Sequence, residues 1–183
     1  MEHADHVNLL RAGIPAPGGV WADFGSGAGA FTLALADLLG PGARIWSVDR
    51  DAGALRQQER AMRARFPATA VQYLVADFTQ PLELPTLDGA VCANALHFVR
   101  DKDTPLHLLY RYLRPGGQLI VVEYNTDRGN HWVPYPFSFV GWTDLARRNG
   151  FMATRLLARR SSRFLGEIYA AASQRPVDVE QNA

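Results

Sequence analysis

The chain has 183 residues, is 48% hydrophobic and 20% charged, and carries a formal net charge of +1. That length and apolar content suit one globular domain with a full core, and the charge gives no reason to expect a nucleic-acid or membrane partner. The single cysteine, Cys92, excludes an intrachain disulfide and a thiolate metal cluster. The N-terminus lacks a charged segment followed by an apolar one, and no apolar run reaches about 18 residues, so the expected location is the cytoplasm.

Apolar strand-like runs alternate with helical patterns, which argues for βα units and a largely parallel sheet. Val20 to Phe24 is the first run. Asp23 falls at its end, and Gly25, Gly27 and Gly29 then alternate through a tight turn into the helical stretch Phe31–Ala36. Alternating glycines admit otherwise forbidden backbone angles and let a ligand approach where a Cβ would block it. Such a turn aims the first free N–H groups of the following helix at the ligand. A carboxylate two residues before the first glycine would repel a pyrophosphate and attract an ammonium. The loop therefore suits a ligand with both an ammonium and a carboxylate, such as an amino-acid-bearing nucleoside.

The second strand is Arg44 to Val48, ending at Asp49. A helix follows from Asp51, its N-cap, with Leu55, Met62 and Phe66 on one face. Val71 to Val75 makes a third strand ending at Asp77, and Gly89 to Ala93 a fourth that runs on into Asn94-Ala95-Leu96-His97-Phe98. Asp103-Thr104-Pro105 reads as a polar cap and a helix start, and Pro115-Gly116-Gly117 as the stop. Leu119 to Glu123 is the fifth strand.

From Asn125 to Ser138 the pattern lapses into an aromatic- and proline-containing loop. A helix resumes near Phe139, with Trp142 and Leu145 spaced for burial and Gly150 where a C-cap glycine belongs. Met152 to Arg159 and Gly166 to Ala172, joined by Arg160-Ser161-Ser162-Arg163, close the chain as a hairpin, so one strand must run antiparallel. A single domain over 1–174 is expected, with a polar, disordered tail over 175–183.

Four landmarks in this order carry a family resemblance: Asp23-Phe-Gly25-Ser-Gly27-Ala-Gly29, Asp49 closing strand two, Ala76-Asp77-Phe78 after strand three, and Leu113-Arg-Pro115-Gly116-Gly117 before strand five. Together they resemble the class I S-adenosylmethionine-dependent methyltransferases over nearly the whole chain. Asn94-Ala95-Leu96-His97 is most similar to the small-molecule branch that includes the quinone-biosynthesis-type enzymes. The resemblance implies a Rossmann-like, doubly wound, mostly parallel seven-stranded sheet with a C-terminal antiparallel hairpin and helices on both faces.

It also implies roles for residues and S-adenosyl-L-methionine as cofactor. Asp23 and the turn Gly25, Ser26, Gly27 and Gly29 would hold the methionine moiety. Asp49, beside Arg50, would accept from both ribose hydroxyls with its two oxygens. Asp77 would accept from the adenine amino group, with Phe78 along the base, and Asn94 and Ala95 would border the methionine amino group and the sulfonium. No metal is expected: His3 and His6 have a helix-compatible spacing but no nearby third ligand.

A sulfonium methyl is already an activated electrophile, so such a protein chiefly holds the acceptor in line and excludes water, with effective molarities on the order of 10⁵–10⁸ M. A base matters only where the acceptor must lose a proton, and would add about 10²–10⁴-fold. His97, just beyond strand four, is the first candidate; the alternative is a histidine bonded to a backbone carbonyl near the cofactor. Glu123 and Tyr124 either orient the acceptor or close the sheet edge. His131, Trp132 and Tyr135 either line an acceptor pocket or lid, or pin down their loop. The acceptor is expected to be a small molecule. Strand four is not followed by an Asn-Pro-Pro-aromatic signature, and six arginines between Arg147 and Arg163 read as a solvated face rather than a nucleic-acid surface. Only about twenty residues precede strand one, so the 125–137 loop, the N-terminal segment or a second subunit in a homodimer must cover the site if water is to be excluded.

Two other readings fit parts of the chain. One is a non-catalytic S-adenosylmethionine-binding sensor or partner subunit. The other is an NAD(P)-binding Rossmann protein, because Gly25-x-Gly27-x-x-Ala30 satisfies a loose dinucleotide fingerprint; against it stand Asp23 and the short chain.

Overall fold

Alternate residues of the central strands serve two separate cores, which is why these strands read as continuous apolar runs. In β1 (Val20–Phe24), Trp21 enters one core while Ala22 and Phe24 enter the other; in β5 (Leu113–Tyr124), Ile120 and Val122 oppose Leu119 and Val121. The first core lies under α1 (His3–Arg11), α2 (Ala30–Leu39) and part of α3 (Ala52–Arg65), the second under α4 (Asp103–Tyr112) and α5 (Phe139–Arg148). The computed structural model describes residues 1–177.

The remaining strands are β2 (Arg44–Asp49), β3 (Ala70–Val75), β4 (Leu87–Ala93), β6 (Met152–Ser162) and β7 (Gly166–Gln174). They form one seven-stranded sheet in the order β3-β2-β1-β4-β5-β7-β6. All neighbouring pairs are parallel except β5–β7 and β6–β7. The expected mixed sheet and closing hairpin are therefore present. Chain order runs outward from β1 to β3 and then restarts at β4 on the other side of β1. The crevice at the carboxyl ends of β1 and β4 is the topological switch point where ligands bind in such folds.

Local details depart from the sequence reading in five places. The N-terminal α1 was not anticipated; its Val7, Leu9 and Leu10 are buried only because it docks on α2 and on the edge strand β6. The Asp5–Arg160 ion pair and a bond from Arg155 Nη2 to the carbonyl of Ala12 (3.2 Å) fasten it there. At α4 the N-cap is Lys102, which caps nothing with its side chain; Asp101, one residue ahead, accepts from Asp103 N (3.0 Å) and Thr104 Oγ1 (2.9 Å), and Asp103 itself lies in the first turn. Pro115-Gly116-Gly117 lies within β5, which starts directly after α4, and Arg160 to Ser162 continue β6 rather than forming its connection. Arg175, expected in the tail, is pinned instead: its N–H donates to Gly117 O, and its guanidinium donates to Leu113 O (2.7 Å) and Tyr110 O. The rest of the expected tail, from 178 onward, lies outside the described residues. Among the described residues no helix is long and apolar enough to cross a membrane.

Candidate functional site

Past β1 the backbone reverses over Gly25 to Gly29 and enters α2. Gly25 N and Ser26 N both donate to Val48 O (2.8 and 3.1 Å), so the turn lies against the end of β2. Asp49 then fixes its far side: Oδ2 accepts from Gly27 N (2.7 Å) and Oδ1 from Asp51 N (2.8 Å). One carboxylate thus ties the turn to the start of α3, whose N-cap is Asp51 as expected. Ser26 Oγ meets Ser47 Oγ (2.8 Å), which bonds Gln58 Oε1 (3.0 Å) in the buried layer behind. Gly25 has φ +71°, and a Cβ there would come 2.5 Å from Ala95 Cβ, so both its conformation and the close approach require glycine. Gly29, with φ +90°, is the N-cap of α2.

These elements border a cavity of about 380 Å³ at the switch point. Of the residues expected to hold a cofactor, Gly25, Asp49, Arg50, Asp77, Phe78, Asn94 and Ala95 line it. Ala76, Thr79, Phe98 and Val99 line it as well, though sequence reasoning gave them no role there. The signal for them was adjacency: Ala76 and Thr79 each stand one residue from an expected liner, and Phe98 and Val99 one and two residues past His97. Thr79 has a definite task, because its N–H and hydroxyl both donate to Asp77 Oδ1 (2.9 and 2.7 Å) and hold that carboxyl below its ordinary pKa. Asp77 therefore presents a charged, exposed acceptor to the cavity.

Asn94 is one of two non-glycine residues with positive φ (+52°) among the described residues. Its backbone N–H donates to Val122 O (2.8 Å), but its buried Oδ1 has no hydrogen-bond partner there. A left-handed asparagine with an unsatisfied buried acceptor is costly, and such strain gathers where a ligand is held.

Asp23 lies elsewhere. It is 1% exposed, sits behind the turn rather than on the cavity wall, and accepts from Thr32 Oγ1 (2.6 Å). Burial pushes its pKa up to about 7, against the pull of the Thr32 hydrogen bond and with the help of the Asp49 charge. Its place is structural support for the strand–turn–helix corner.

The second half of the site is built around the one-turn 3-10 helix Leu96–Phe98. His97 and Glu123 are both buried (2% and 0% exposed), with His97 Nδ1 2.6 Å from Glu123 Oε2. Since a carboxylate only accepts, Nδ1 carries the proton and Nε2 is left as the basic nitrogen. The His97 backbone N–H also donates to Glu123 Oε1 (3.3 Å), so both oxygens of Glu123 serve one residue. The Phe98 ring lies 4.3 Å from that of His97, and Tyr124 lies 6.2 Å away. His97 itself does not line the cavity; its neighbour Phe98 does.

Within the aromatic loop, Tyr135 N donates to His97 O (2.9 Å), which ties the loop to this turn. His131 and Trp132 pack edge-to-face at the exposed tip and reach neither the cavity nor His97. Phe137 turns inward onto Trp142. The loop therefore splits: its tip faces solvent, and its second half braces the His97 turn.

The arginines of the last third are largely occupied. Arg148 bonds Asp103 (2.9 Å), Arg159 faces Glu167 (3.7 Å), and Arg155 and Arg160 hold α1. His3 bonds Asp37 (2.9 Å) while His6 is buried edge-on against Phe31, so the two do not form a metal pair. Among the described residues no group of three or more potential metal ligands occurs.

A sequence profile described as a methyltransferase domain matches residues 22–121, more than half of the chain. The chain belongs to the methyltransferase-domain family. Its fold is the class I form of that family, whose methyl donor is S-adenosylmethionine. Among curated relatives, the ubiquinone/menaquinone biosynthesis C-methyltransferase UbiE of Pasteurella multocida is 31% identical over 105 residues, which is 56% of this chain and 39% of that one. The chain thus spans well under half of that relative's length. A crystal structure from Bacillus halodurans, provisionally assigned as a methyltransferase, superposes with a TM-score of 0.77 at 13% identity, covering 95% of this chain and all of the other. Phosphoethanolamine N-methyltransferase 2 of Haemonchus contortus, solved with phosphomonomethylethanolamine and S-adenosylhomocysteine, gives 0.76 at 16% identity, covering 94% of this chain and 52% of that one. At these identities the two structures speak for the fold.

Proposed function

We propose that this methyltransferase domain binds S-adenosylmethionine in the cavity at the switch point and transfers its methyl group to a small-molecule acceptor presented from the His97 side. The observation that carries this reading is a cavity lined by the Asp49 and Asp77 carboxylates and by Asn94, which is held at positive φ with a buried, partnerless Oδ1. That donor-hungry set fits a ligand with an ammonium, ribose hydroxyls and an adenine amino group. It does not fit a dinucleotide, whose pyrophosphate would meet carboxylates with Arg50 as the one basic liner.

When bound, the cofactor supplies an electrophilic methyl on a positively charged sulfur. The chain's own residues then position and deprotonate. Asn94 and the glycine turn hold the amino-acid end, Asp49 takes the ribose, and Asp77 with Phe78 takes the base. Glu123 keeps Nδ1 of His97 protonated and its ring oriented, so that Nε2 can take a proton from an acceptor oxygen, nitrogen or acidic carbon. Phe98, 58% exposed, links the two halves: it lines the cavity, and its ring lies 4.3 Å from that of His97. The curated relative methylates carbon by its name; for this chain a carbon or oxygen acceptor with a removable proton is the corresponding proposal.

Calorimetric titration with S-adenosylmethionine, S-adenosylhomocysteine and NADH tests the reading. Binding of the two sulfur nucleosides and not NADH is expected. Failure of both sulfur nucleosides to bind overturns it, and binding without turnover across an acceptor screen leaves a cofactor-binding partner subunit.

A further inference from the structure

Lys102 is the only lysine among the chain's 19 Lys and Arg residues. It stands at the N-cap position of α4, where the helix dipole disfavours a cation, and it is 8% exposed. Charged side chains are rarely buried unless paired, yet Lys102 makes no ion pair among the described residues. Its Nζ instead donates to Val99 O (2.9 Å) and sits 5.3 Å from the Phe137 ring centroid and 5.9 Å from that of Tyr135. Val99 belongs to the cavity wall two residues past His97; Tyr135 and Phe137 belong to the loop after β5.

That loop is closed at its base without help from Lys102. Ser138 N donates to Asp127 Oδ1 (2.8 Å) and Phe139 N to Asn125 Oδ1 (2.9 Å). What remains to be set is how the closed loop sits against the His97 turn. Phe137 shares a buried core with Ala95 and Leu96, and its carbonyl accepts from Tyr169 Oη (3.2 Å). Two polar contacts join the loop to the turn itself: the Tyr135 N–H on His97 O, and the Lys102 ammonium between Val99 O and two aromatic faces. The second is a positive charge shared by a carbonyl and two rings, a task that a cation performs through its charge.

We propose that Lys102 is a positioning residue for the acceptor side of the site, its charge fastening the 125–138 loop to the turn that carries His97. The inference rests on reading that turn and loop as the acceptor side. It implies that the fastening depends on protonation. Burial lowers the Lys102 pKa, Glu123 and Asp101 favour its charged form, and Arg148 opposes it. Raising the pH through that lowered pKa removes the charge and both ring contacts.

Hydrogen exchange on the full chain reads this without an acceptor. After correction for intrinsic rates, Lys102→Met is expected to speed exchange of the Tyr135 amide, which bonds the His97 turn, about ten-fold, leaving the base amides Ser138 and Phe139 and the turn amides Gly25 and Gly27 unchanged. Lys102→Arg, which keeps a cation, is expected to restore at least half of the lost protection on a logarithmic scale. The wild type is expected to lose loop protection as pH rises through the lowered Lys102 pKa, and Lys102→Met to show no such loss. Unchanged protection in Lys102→Met, no restoration in Lys102→Arg, or the same pH dependence in Lys102→Met would each overturn the proposal. Titration of the same proteins with S-adenosylhomocysteine is a separate readout: absence of binding to the wild type overturns the cofactor reading whatever the loop does.

Discussion

Around the glycine turn, the polar groups that face the cavity are held by main-chain amides and stay open to solvent; around His97 they are held by one another and are sealed. Asp49 is fixed by Gly27 N and Asp51 N, and Asp77 by Thr79, each with carboxylate surface left over for a ligand. Glu123 spends both oxygens on His97 and has no exposure at all. In the first arrangement, the amides freed by loss of a carboxylate lie near solvent, where water can satisfy them. In the second, removing one member strands a buried polar partner. Damage to the two halves should therefore be read in different currencies: ligand affinity for the turn, folding stability for the dyad.

The largest effect follows from breaking the dyad. Glu123→Ala strands the ring and backbone N–H groups of His97 and is expected to lower the free energy of urea unfolding by about 1–3 kcal/mol for each, whereas Glu123→Gln, which retains an acceptor oxygen, should lose clearly less. Equal losses would mean that packing volume, not the hydrogen-bonded pair, holds this half together.

Asp23 predicts a pH dependence of the corner beneath the turn. Its carboxyl keeps its proton up to about pH 7 in the folded chain but loses it near 3.8 when unfolded. The folded state therefore binds the extra proton between those values, so stability falls as pH rises from about 4 to about 7 and is level above. Asp23→Asn should flatten that slope in chemical denaturation run across this range. A slope that survives the substitution belongs to another group.

On the turn side, Asp49→Ala is expected to weaken S-adenosylhomocysteine binding about ten- to hundred-fold, the range for hydrogen bonds to a charged group. Calorimetry on the folded variant checks this, and unchanged affinity would remove Asp49 from the ribose site. Gly25→Ala should cost somewhat less, about ten-fold in the same titration, from a left-handed conformation worth roughly 1–2 kcal/mol and a methyl pressed on Ala95. Smallest of all is Trp132→Ala at the exposed loop tip, expected to change unfolding stability by no more than about 0.5 kcal/mol. A larger loss would show that the tip packs more tightly than its 70% exposure indicates.

What was legible in advance follows the same division. The glycine turn, Asp51 as a cap, and Asp49 and Asp77 at strand ends are all local features, set by backbone requirements within a few residues or by the period of a strand. Helix α1 escaped notice because its three apolar residues make a face only once α2 and β6 are there to receive it. Pro115-Gly116-Gly117 looked like a terminator, yet β5 begins ahead of it, at Leu113, and pairs there with β4 across an irregular register.

The sequence by itself determined the alternation of strands and helices, the antiparallel closing hairpin and the half of the site that the glycine turn organises. Hydrophobic periodicity and turn chemistry act over short stretches of chain, and residue order alone records them. Only the tertiary structure decided that Asp23 supports the corner instead of facing the cavity, that Glu123 belongs to His97, and that the lone lysine joins a turn to a loop. Those outcomes depend on which strands lie side by side in the sheet. A buried charge takes its function from whatever the fold brings within hydrogen-bonding distance of it.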